Sequence, residues 1–321
     1  MKRVLITTFP GGYMHHGGGE REIHLLKEAL NIAGVFCDLY GPSSLPIEDY
    51  QEIIHFSIAN GSDLVVDAAS VGRKRMILWP NLWFVDTPTD SHLDHLRRFV
   101  SRFDGVVFKS FAEEKHFKDY FDISGMDVIH VSPIVSSRFF TKEVSPVFKE
   151  SYGLDKYVIW PGIIEPQKNQ LTAVRAFIDS DIVLVISGQI RDKAYFELCQ
   201  AESRKNVQFI PPMPFASELH LSAIAYSSLF LELPLDFPGT SAIEAAVMGC
   251  RMLLPTSAWV DELLKERCMQ VPPLEVETVR SAVAAALKDC NGKQSNIHLP
   301  DYSRFAMDKA ILPLLDYYNV T

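Results

Sequence analysis

The chain has 321 residues, a length that suggests two domains, each large enough to bury its own core. Charged residues make up 22% and apolar residues 47%, close to the average for folded proteins, which excludes an intrinsically disordered chain. Lysine and arginine total 31 against 40 acidic residues, and the resulting formal net charge of −9 disfavours nucleic acid as a partner.

Short apolar or β-branched runs alternate with stretches of helical spacing, which is typical of βα units around a parallel sheet. A helix is predicted after the first strand, because Ile23, Leu26 and Leu30 fall on one face and Gly34 ends the run. The predicted strands of the first half are VLITT (4–8), VFCDLY (35–40), LVVDAA (64–69), MILW (76–79), GVVFKS (105–110) and DVIHV (127–131).

A second series of similar runs follows, with predicted strands at 156–162, 182–188, 207–210, 229–233, 251–255 and 269–273. The polar stretch 136–156 has no clear period and is predicted to be an exposed connection. We therefore expect an N-terminal domain at 1–148, a C-terminal domain at 149–300 and a final amphipathic helix at 301–321, interrupted by Pro313. The fold class is α/β, with two open parallel sheets and a ligand cleft between them.

The cysteines and the apolar runs bear on location. The cysteines are odd in number and form no C-x-x-C pair, which predicts reduced thiols and a cytoplasmic protein; they are Cys37, Cys199, Cys250, Cys268 and Cys290. The apolar run before Pro10 is too short for a secretory signal, and no run is long enough for a transmembrane helix. Peripheral contact with the inner face of a membrane stays open.

Three glycines end the loop after the first strand and stand immediately before a predicted helix. Gly17, Gly18 and Gly19 let the backbone approach a ligand closely, and the helix N-terminus offers free amides to a phosphate or sugar oxygen. The spacing is not G-x-G-x-x-G, which disfavours a nicotinamide cofactor. A flexible turn without a ligand is the alternative interpretation.

Two loops of the second domain carry further candidates. Lys168 lies at a loop-to-helix junction, where a cation can meet a diphosphate. Asp236 and Glu244 flank Gly239 and Thr240 at the start of a predicted helix, a pattern that can give amides to phosphates and carboxylates to sugar hydroxyls. The plainer alternatives are a surface lysine, a turn acid and a solvated helix acid.

Three segments together resemble the retaining glycosyltransferases of family 4, which have the GT-B architecture of two facing Rossmann-like domains with an interdomain cleft. PGIIEPQKNQ resembles the family's Gly-Arg-x-x-x-x-Lys loop, DFPGTSAIEAAVMGC resembles its glutamate pair separated by seven residues, and GGGE resembles the glycine loop of its acceptor domain. The resemblance implies transfer of a sugar, with retention, from a nucleotide diphosphate sugar to a hydroxyl of a glycan or lipid-linked acceptor in surface polysaccharide biosynthesis. It also implies that 301–321 crosses back to the first domain.

The resemblance implies roles for single residues. Lys168 would contact the donor diphosphate, Glu244 would accept from the ribose hydroxyls, and Asp236 would lie near the donor sugar; these three form the catalytic set. Ile163 stands where the family has an arginine, and Asp236 is one methylene shorter than the family's glutamate. The other donor-binding candidates are Gly18, Gly19, Gly239, Thr240 and Arg191, the last as a substitute cation.

The acceptor-side candidates are His15, His16, Asn81 and Trp83. Exposed loop histidines and a core tryptophan are the alternatives. Neither a metal nor another cofactor is expected, because the leaving diphosphate can take the acceptor's proton and Lys168 with helix amides can stabilise its charge.

Two other functions stay open. Because Ile163 replaces an arginine and the loop after MILW lacks the family's histidine, the alternative is a non-catalytic nucleotide-sugar or glycan-binding protein of GT-B descent. A GT-B epimerase or phosphorylase is the third possibility. No G-x-S-x-G motif occurs, which argues against a hydrolase.

Overall fold

The computed structural model describes residues 2–14, 17–58, 61–72, 74–141, 143–288 and 301–319. The chain divides into two compact units, which are described separately below. Unit 1 comprises Met1–Ile134 with Ser303–Thr321, and unit 2 comprises Val135–Tyr302. Across the described residues, no helix combines the length and apolar character needed to cross a bilayer.

Unit 1 is built on a six-stranded parallel sheet of order β2-β1-β3-β4-β5-β6. Its strands are β1 (Arg3–Thr8), β2 (Phe36–Leu39), β3 (Glu52–Phe56), β4 (Arg75–Trp79), β5 (Gly105–Phe108) and β6 (Asp127–His130). Its first helices are α1 (Gly18–Ile32), α2 (Ser62–Ala69), α3 (Asp90–Val100) and α4 (Phe111–Lys118). Most core side chains of the inner strands are apolar, as expected for a sheet covered on both faces.

One strand of unit 1 differs from the prediction. The prediction of a strand at 64–69 is wrong, since these residues belong to α2, where Val66 and Ala69 are buried and Leu64 is 70% exposed. The missing strand is β3, whose polar residues Glu52 and His55 hide the apolar pattern. Both side chains are buried and have distant partners: Lys2 Nζ lies 2.5 Å from Glu52, and His55 Nδ1 lies 2.9 Å from Thr7 Oγ1.

Unit 2 carries a second six-stranded parallel sheet, of order β12-β11-β10-β7-β8-β9. Its strands, all six predicted, are β7 (Tyr157–Pro161), β8 (Val183–Ser187), β9 (Val207–Ile210), β10 (Leu229–Leu231), β11 (Met252–Pro255) and β12 (Cys268–Val271). Its helices are α5 (Val147–Tyr152), α6 (Gln170–Ala176), α7 (Lys193–Glu202), α8 (Glu218–Ala225), α9 (Thr240–Val247), α10 (Ala258–Leu263) and α11 (Val276–Lys288).

The stretch 136–156 is largely exposed, as its polar composition predicts, but two buried aromatic residues anchor it. Phe139 and Phe148 are fully buried, the first in the short 3₁₀ turn Ser137–Phe140 and the second in α5. The Phe148 ring lies 5.1 Å from that of Tyr157, and its backbone N–H donates to Ser222 Oγ at 3.0 Å. These aromatic anchors place the segment in unit 2, so the boundary falls at Ile134, earlier than residue 148.

Two short helices, α12 (Met307–Ala310) and α13 (Leu312–Tyr317), complete unit 1 near the end of the chain, and Pro313 lies in the first turn of α13. Tyr317 donates its phenolic hydrogen to Asp127 Oδ2 at 3.0 Å, and Arg75 Nη2 lies 2.5 Å from the same oxygen. The Arg75 guanidinium also lies 4.2 Å from the centre of the Tyr317 ring. These contacts attach α13 to the sheet of unit 1.

The strand orders locate a switch point in each sheet. In unit 2, β7, β8 and β9 are added towards one edge of the sheet, and β10, β11 and β12 are added towards the other edge. The neighbours β7 and β10 therefore mark the point where the order of the parallel strands changes side. The loops leaving the carboxyl ends of these two strands therefore diverge, and such a position is where open α/β sheets bind ligands. In unit 1 the corresponding neighbours are β1 and β3.

Candidate functional site

The loops after β7 and β10 in unit 2 meet at the switch point through an ion pair. Lys168 closes the 3₁₀ turn Pro166–Lys168, and its Nζ lies 2.6 Å from Asp236 Oδ2. The backbone reinforces this contact, because Leu235 N–H donates to Gln167 O at 2.9 Å. The two donor-site candidates that lie 68 positions apart in the sequence are thus in direct contact.

Asn169 fixes the end of the Lys168 loop. Its φ of 61° is in the left-handed region, which asparagine tolerates better than most residues. Its Nδ2 donates to the carbonyls of Leu233 and Pro273 at 3.0 and 2.8 Å, while its Oδ1 accepts from Thr172 Oγ1 at 2.8 Å. This buried asparagine therefore holds the Lys168 loop against the chain that leaves β10.

Helix α9 begins in the loop after β10. Its N-cap is Gly239, which has no side chain to cap the helix, and Thr240 is its first residue. First-turn amides carry the positive end of the helix dipole, so they favour an anion such as a phosphate. Asp236, whose side chain is 14% exposed, precedes this helix start, and its Oδ1 has no hydrogen-bond partner among the described residues.

A third carboxyl group, Glu232, lies in the same place and was not identified from the sequence. It directly follows β10, is 4% exposed, and accepts the hydroxyl hydrogen of Ser241 at 2.5 Å. Burial raises the pKa of Glu232 to about 8; Lys168 opposes this shift, and the charge of Glu244 adds to it. The sequence feature that could have identified Glu232 is an acidic residue within the apolar run LFLEL (229–233), where burial is expected.

Glu244 lies on α9 and is 3% exposed, so it is not the solvated helix acid of the plainer interpretation. Arg191 lies at the same edge of the sheet, where its N–H donates to Ile164 O at 3.1 Å. Its guanidinium pairs with Glu165 at 3.0 Å and is half exposed. The cluster at the switch point is therefore Lys168 with the three acids Glu232, Asp236 and Glu244, and Arg191 stands beside it in a separate pair.

The carboxyl ends of β7 and β8 approach so closely that only glycine fits. A Cβ added to Gly188 would overlap the carbonyl oxygen of Gly162, a backbone atom that no side-chain rotation can move. We expect Gly188→Ala to lower the free energy of unfolding by about 2 kcal/mol or more, because the added methyl group overlaps backbone and forces the two strand ends apart. Urea unfolding measures this, with Gly125→Ala as control, since a Cβ there meets nothing within 4 Å. Equal stability of the two variants would contradict the prediction.

The glycines after β1 form the start of α1 and do not precede it: Gly17 is the N-cap, and Gly18 and Gly19 are the first two helical residues. A Cβ at Gly19 would lie 3.0 Å from the Phe56 ring and 3.5 Å from Asn81 Nδ2, whereas a Cβ at Gly18 would meet nothing within 4 Å. Gly19 therefore approaches the ends of β3 and β4 closely, and Gly18 is open. His15 and His16 lie outside the described residues.

A buried ion pair lies beside this start of α1. Lys109, which follows β5, is 7% exposed, and its Nζ donates to Glu22 Oε2 of α1 at 2.9 Å and to Asn81 Oδ1 at 3.3 Å. Its backbone N–H donates to Glu113 Oε2 at 2.7 Å. Asn81, an acceptor-side candidate, thus has its amide oxygen bound to Lys109 and its amide nitrogen near Gly19.

The aromatic residues after β4 take different positions. Trp79 is fully buried in the core, whereas the candidate Trp83 is partly exposed and stacks on His116 with ring centres 4.2 Å apart. His116 Nε2 accepts from the backbone N–H of Phe84 at 3.0 Å, and burial lowers the pKa of this histidine. The imidazole against Trp83 is therefore neutral at physiological pH. In the described part of the chain, no His, Cys, Asp and Glu side chains are grouped so that they could hold a metal ion.

Neither a protein-family model nor a curated protein sequence matches the chain. Solved structures do match over its full length. Sucrose-phosphate synthase (tll1590) from Thermosynechococcus elongatus has a TM-score of 0.80 at 14% identity, and covers 99% of this chain and 98% of that one. Anabaena Alr3699/HepE, in complex with UDP-glucose, has a TM-score of 0.79 at 13% identity and 100% coverage of both chains.

More distant matches include AviGT4, a glycosyltransferase involved in avilamycin A biosynthesis, with a TM-score of 0.61 at 14% identity and coverage of 99% and 97%. UDP-GlcNAc 2-epimerase from Methanocaldococcus jannaschii has a TM-score of 0.60 at 12% identity, with 100% of both chains covered. The chain therefore has the GT-B fold, and its structural neighbours include glycosyltransferases of that fold. At these identities the likeness establishes the fold alone.

Proposed function

We propose that this GT-B chain is a glycosyltransferase that moves a sugar from a nucleotide diphosphate sugar to a hydroxyl acceptor. The observation that carries the proposal is the Lys168–Asp236 pair, 2.6 Å apart, beside the start of α9 at the switch point of unit 2. A cation, helix amides and sugar-binding carboxylates in one place match the chemistry of a sugar linked to a diphosphate.

The proposed chemistry uses few protein groups. Lys168 and the first-turn amides of α9 bind the diphosphate and stabilise the charge that develops as the sugar leaves. Asp236 accepts from a hydroxyl of the sugar, and Glu244 accepts from the ribose. We infer transfer with retention, in which the departing diphosphate takes the acceptor's proton and the reaction requires no metal.

Uridine diphosphate sugars are the donors to test first, because Alr3699/HepE, a structural neighbour, is described in complex with UDP-glucose. A glycan or lipid-linked glycan is the proposed acceptor, with Gly19, Asn81 and Trp83 of unit 1 as candidate contacts. The described cysteines are free thiols, which supports a cytoplasmic location; they are Cys37, Cys199, Cys250 and Cys268.

A second function has one observation in its favour. Ile163 supplies no charge where the resembled family has an arginine, and Arg191 is paired with Glu165 at 3.0 Å. A site with Lys168 as its main cation suits a protein that binds nucleotide sugars without transferring them. Turnover distinguishes this alternative from the enzyme.

The test combines binding with turnover. Thermal-shift measurements with UDP, GDP, ADP, CMP and dTDP identify the base, and we expect a diphosphate to raise the melting temperature. Incubation with the matching nucleotide sugars and a pool of glycan acceptors should then release the nucleoside diphosphate, with NMR of the product showing a retained anomeric configuration. Binding without release would favour the alternative, and absence of binding to every nucleotide would contradict both functions.

A further inference from the structure

The Glu232 carboxyl group is buried at the switch point and contacts the start of α9. Its Oε1 accepts from Ser241 Oγ at 2.5 Å, and the backbone N–H of Gly239 also donates to this carboxyl. Its own backbone N–H donates to Leu253 O at 3.2 Å, which fixes Glu232 against β11. The carboxyl therefore holds both the N-cap and the first turn of α9.

The charges around Glu232 do not balance if every acid is ionised. Two further carboxyls, those of Asp236 and Glu244, are poorly exposed, and the cation that acts on Glu232 is Lys168. With all three acids ionised the cluster would carry two net negative charges, at the place proposed for a diphosphate. Buried like charges of this kind are costly, because little water screens them.

Burial and ion pairing indicate which acid is neutral. Asp236 pairs with the Lys168 ammonium at 2.6 Å, whereas Glu232 forms no ion pair among the described residues. The hydrogen bonds from Ser241 and Gly239 lower the pKa of Glu232, but burial outweighs them and raises it to about 8. Glu244, from α9, adds to that shift through its negative charge.

We propose that Glu232 is a positioning residue that must carry a proton for a nucleoside diphosphate to bind at the start of α9. This inference rests on the proposed function. The neutral carboxyl keeps Gly239 and Ser241 in place and leaves the Lys168 ammonium as the dominant charge for the phosphates. Loss of the proton to water puts a further buried negative charge beside the phosphates and weakens their binding.

Calorimetry with UDP between pH 6.5 and 9 tests the proposal on the full chain. If only the protonated form binds, the dissociation constant of the wild type should rise about fivefold to tenfold between pH 8 and pH 9, following the falling protonated fraction. Glu232→Gln keeps a neutral side chain of the same size, so its dissociation constant should change by less than about twofold over that range. If the dissociation constant of Glu232→Gln rises with pH as steeply as that of the wild type, the inference is overturned.

Two further variants separate this effect from general changes at high pH. Ser241→Ala removes a hydrogen bond that lowers the pKa of Glu232, so the loss of UDP affinity should begin at higher pH. Glu218→Gln removes an exposed carboxyl at the start of α8 and should retain the wild-type slope. A flattened slope in Glu218→Gln, equal to that of Glu232→Gln, would contradict the assignment.

Unfolding without nucleotide gives an independent measurement. A buried carboxyl with a raised pKa keeps a proton in the folded state that the unfolded chain has released. The free energy of unfolding therefore falls as the pH rises from 4.5, the ordinary pKa of a glutamate, to about 8, the pKa of Glu232 in the folded state. Relative to Glu232→Gln, the unfolding constant of the wild type should rise by a hundredfold or more between pH 5 and 8. Parallel pH profiles would overturn the inference while leaving the proposed function intact. Absence of UDP binding in every variant would count against both.

Discussion

Lys168→Ala should weaken binding of UDP by roughly 10- to 100-fold, the largest loss that we expect from a single substitution at the site. A hydrogen bond to a charged group contributes about 1.5 to 3 kcal/mol, and the substitution also leaves the Asp236 carboxylate, now unpaired, to repel the phosphates. Isothermal titration calorimetry at pH 7 measures the change, and the rate of nucleoside diphosphate release should fall in parallel.

The matched control is Lys193→Ala, which removes an ammonium whose side chain is 86% exposed on α7. It should leave UDP affinity unchanged. The double variant Lys168→Ala/Asp236→Asn should bind more tightly than Lys168→Ala alone, because the repelling carboxylate is gone. Unchanged affinity in Lys168→Ala would contradict the assignment of this lysine to the diphosphate.

Lys109→Met should have the largest effect on stability, lowering the free energy of unfolding of unit 1 by about 3 to 5 kcal/mol. The side chains of Lys109 and Glu22 are 7% and 6% exposed, and Lys109 Nζ lies 2.9 Å from Glu22 Oε2. Removal of the ammonium therefore leaves a buried carboxylate without its cation. The charges of Glu22 and Glu113 raise the pKa of Lys109 against the effect of burial. Urea unfolding, followed in the transition of unit 1, measures the loss.

The double variant Lys109→Met/Glu22→Leu tests the cause, because it removes both charges and should recover part of the lost stability. Asp94→Asn is the surface control: its ion pair with Arg97 joins two half-exposed side chains and should contribute less than about 1 kcal/mol. A loss in Lys109→Met no larger than in Asp94→Asn would show that the buried pair contributes little.

The two sheets differed in how readily the sequence revealed them. All strands of unit 2 were predicted, because strands covered on both faces appear as apolar runs. Strand β3 was missed because Glu52 and His55 are polar and become acceptable in the core only through Lys2 and Thr7, partners from a distant part of the chain. A pattern read over a short window contains no information about such partners.

The same limit applies to the candidate site. Lys168 and Asp236 could each be identified from their loops, but their contact depends on the adjacency of β7 and β10, which no local pattern encodes. Glu232 lay outside the resembled motif and was recognised only from its burial and its contact with Ser241. The order of strands in the sheet therefore supplied the information that the motifs lacked.

The attachment of α13 to unit 1 has a consequence for how the chain folds during translation. Tyr317 binds Asp127, so unit 1 contains residues synthesised before and after the whole of unit 2. During translation, most of unit 2 is synthesised before α13, the helix that contacts the edge strand β6 of unit 1. We therefore expect the earlier-synthesised unit to reach its final state last, which reverses the usual order in which domains fold during translation.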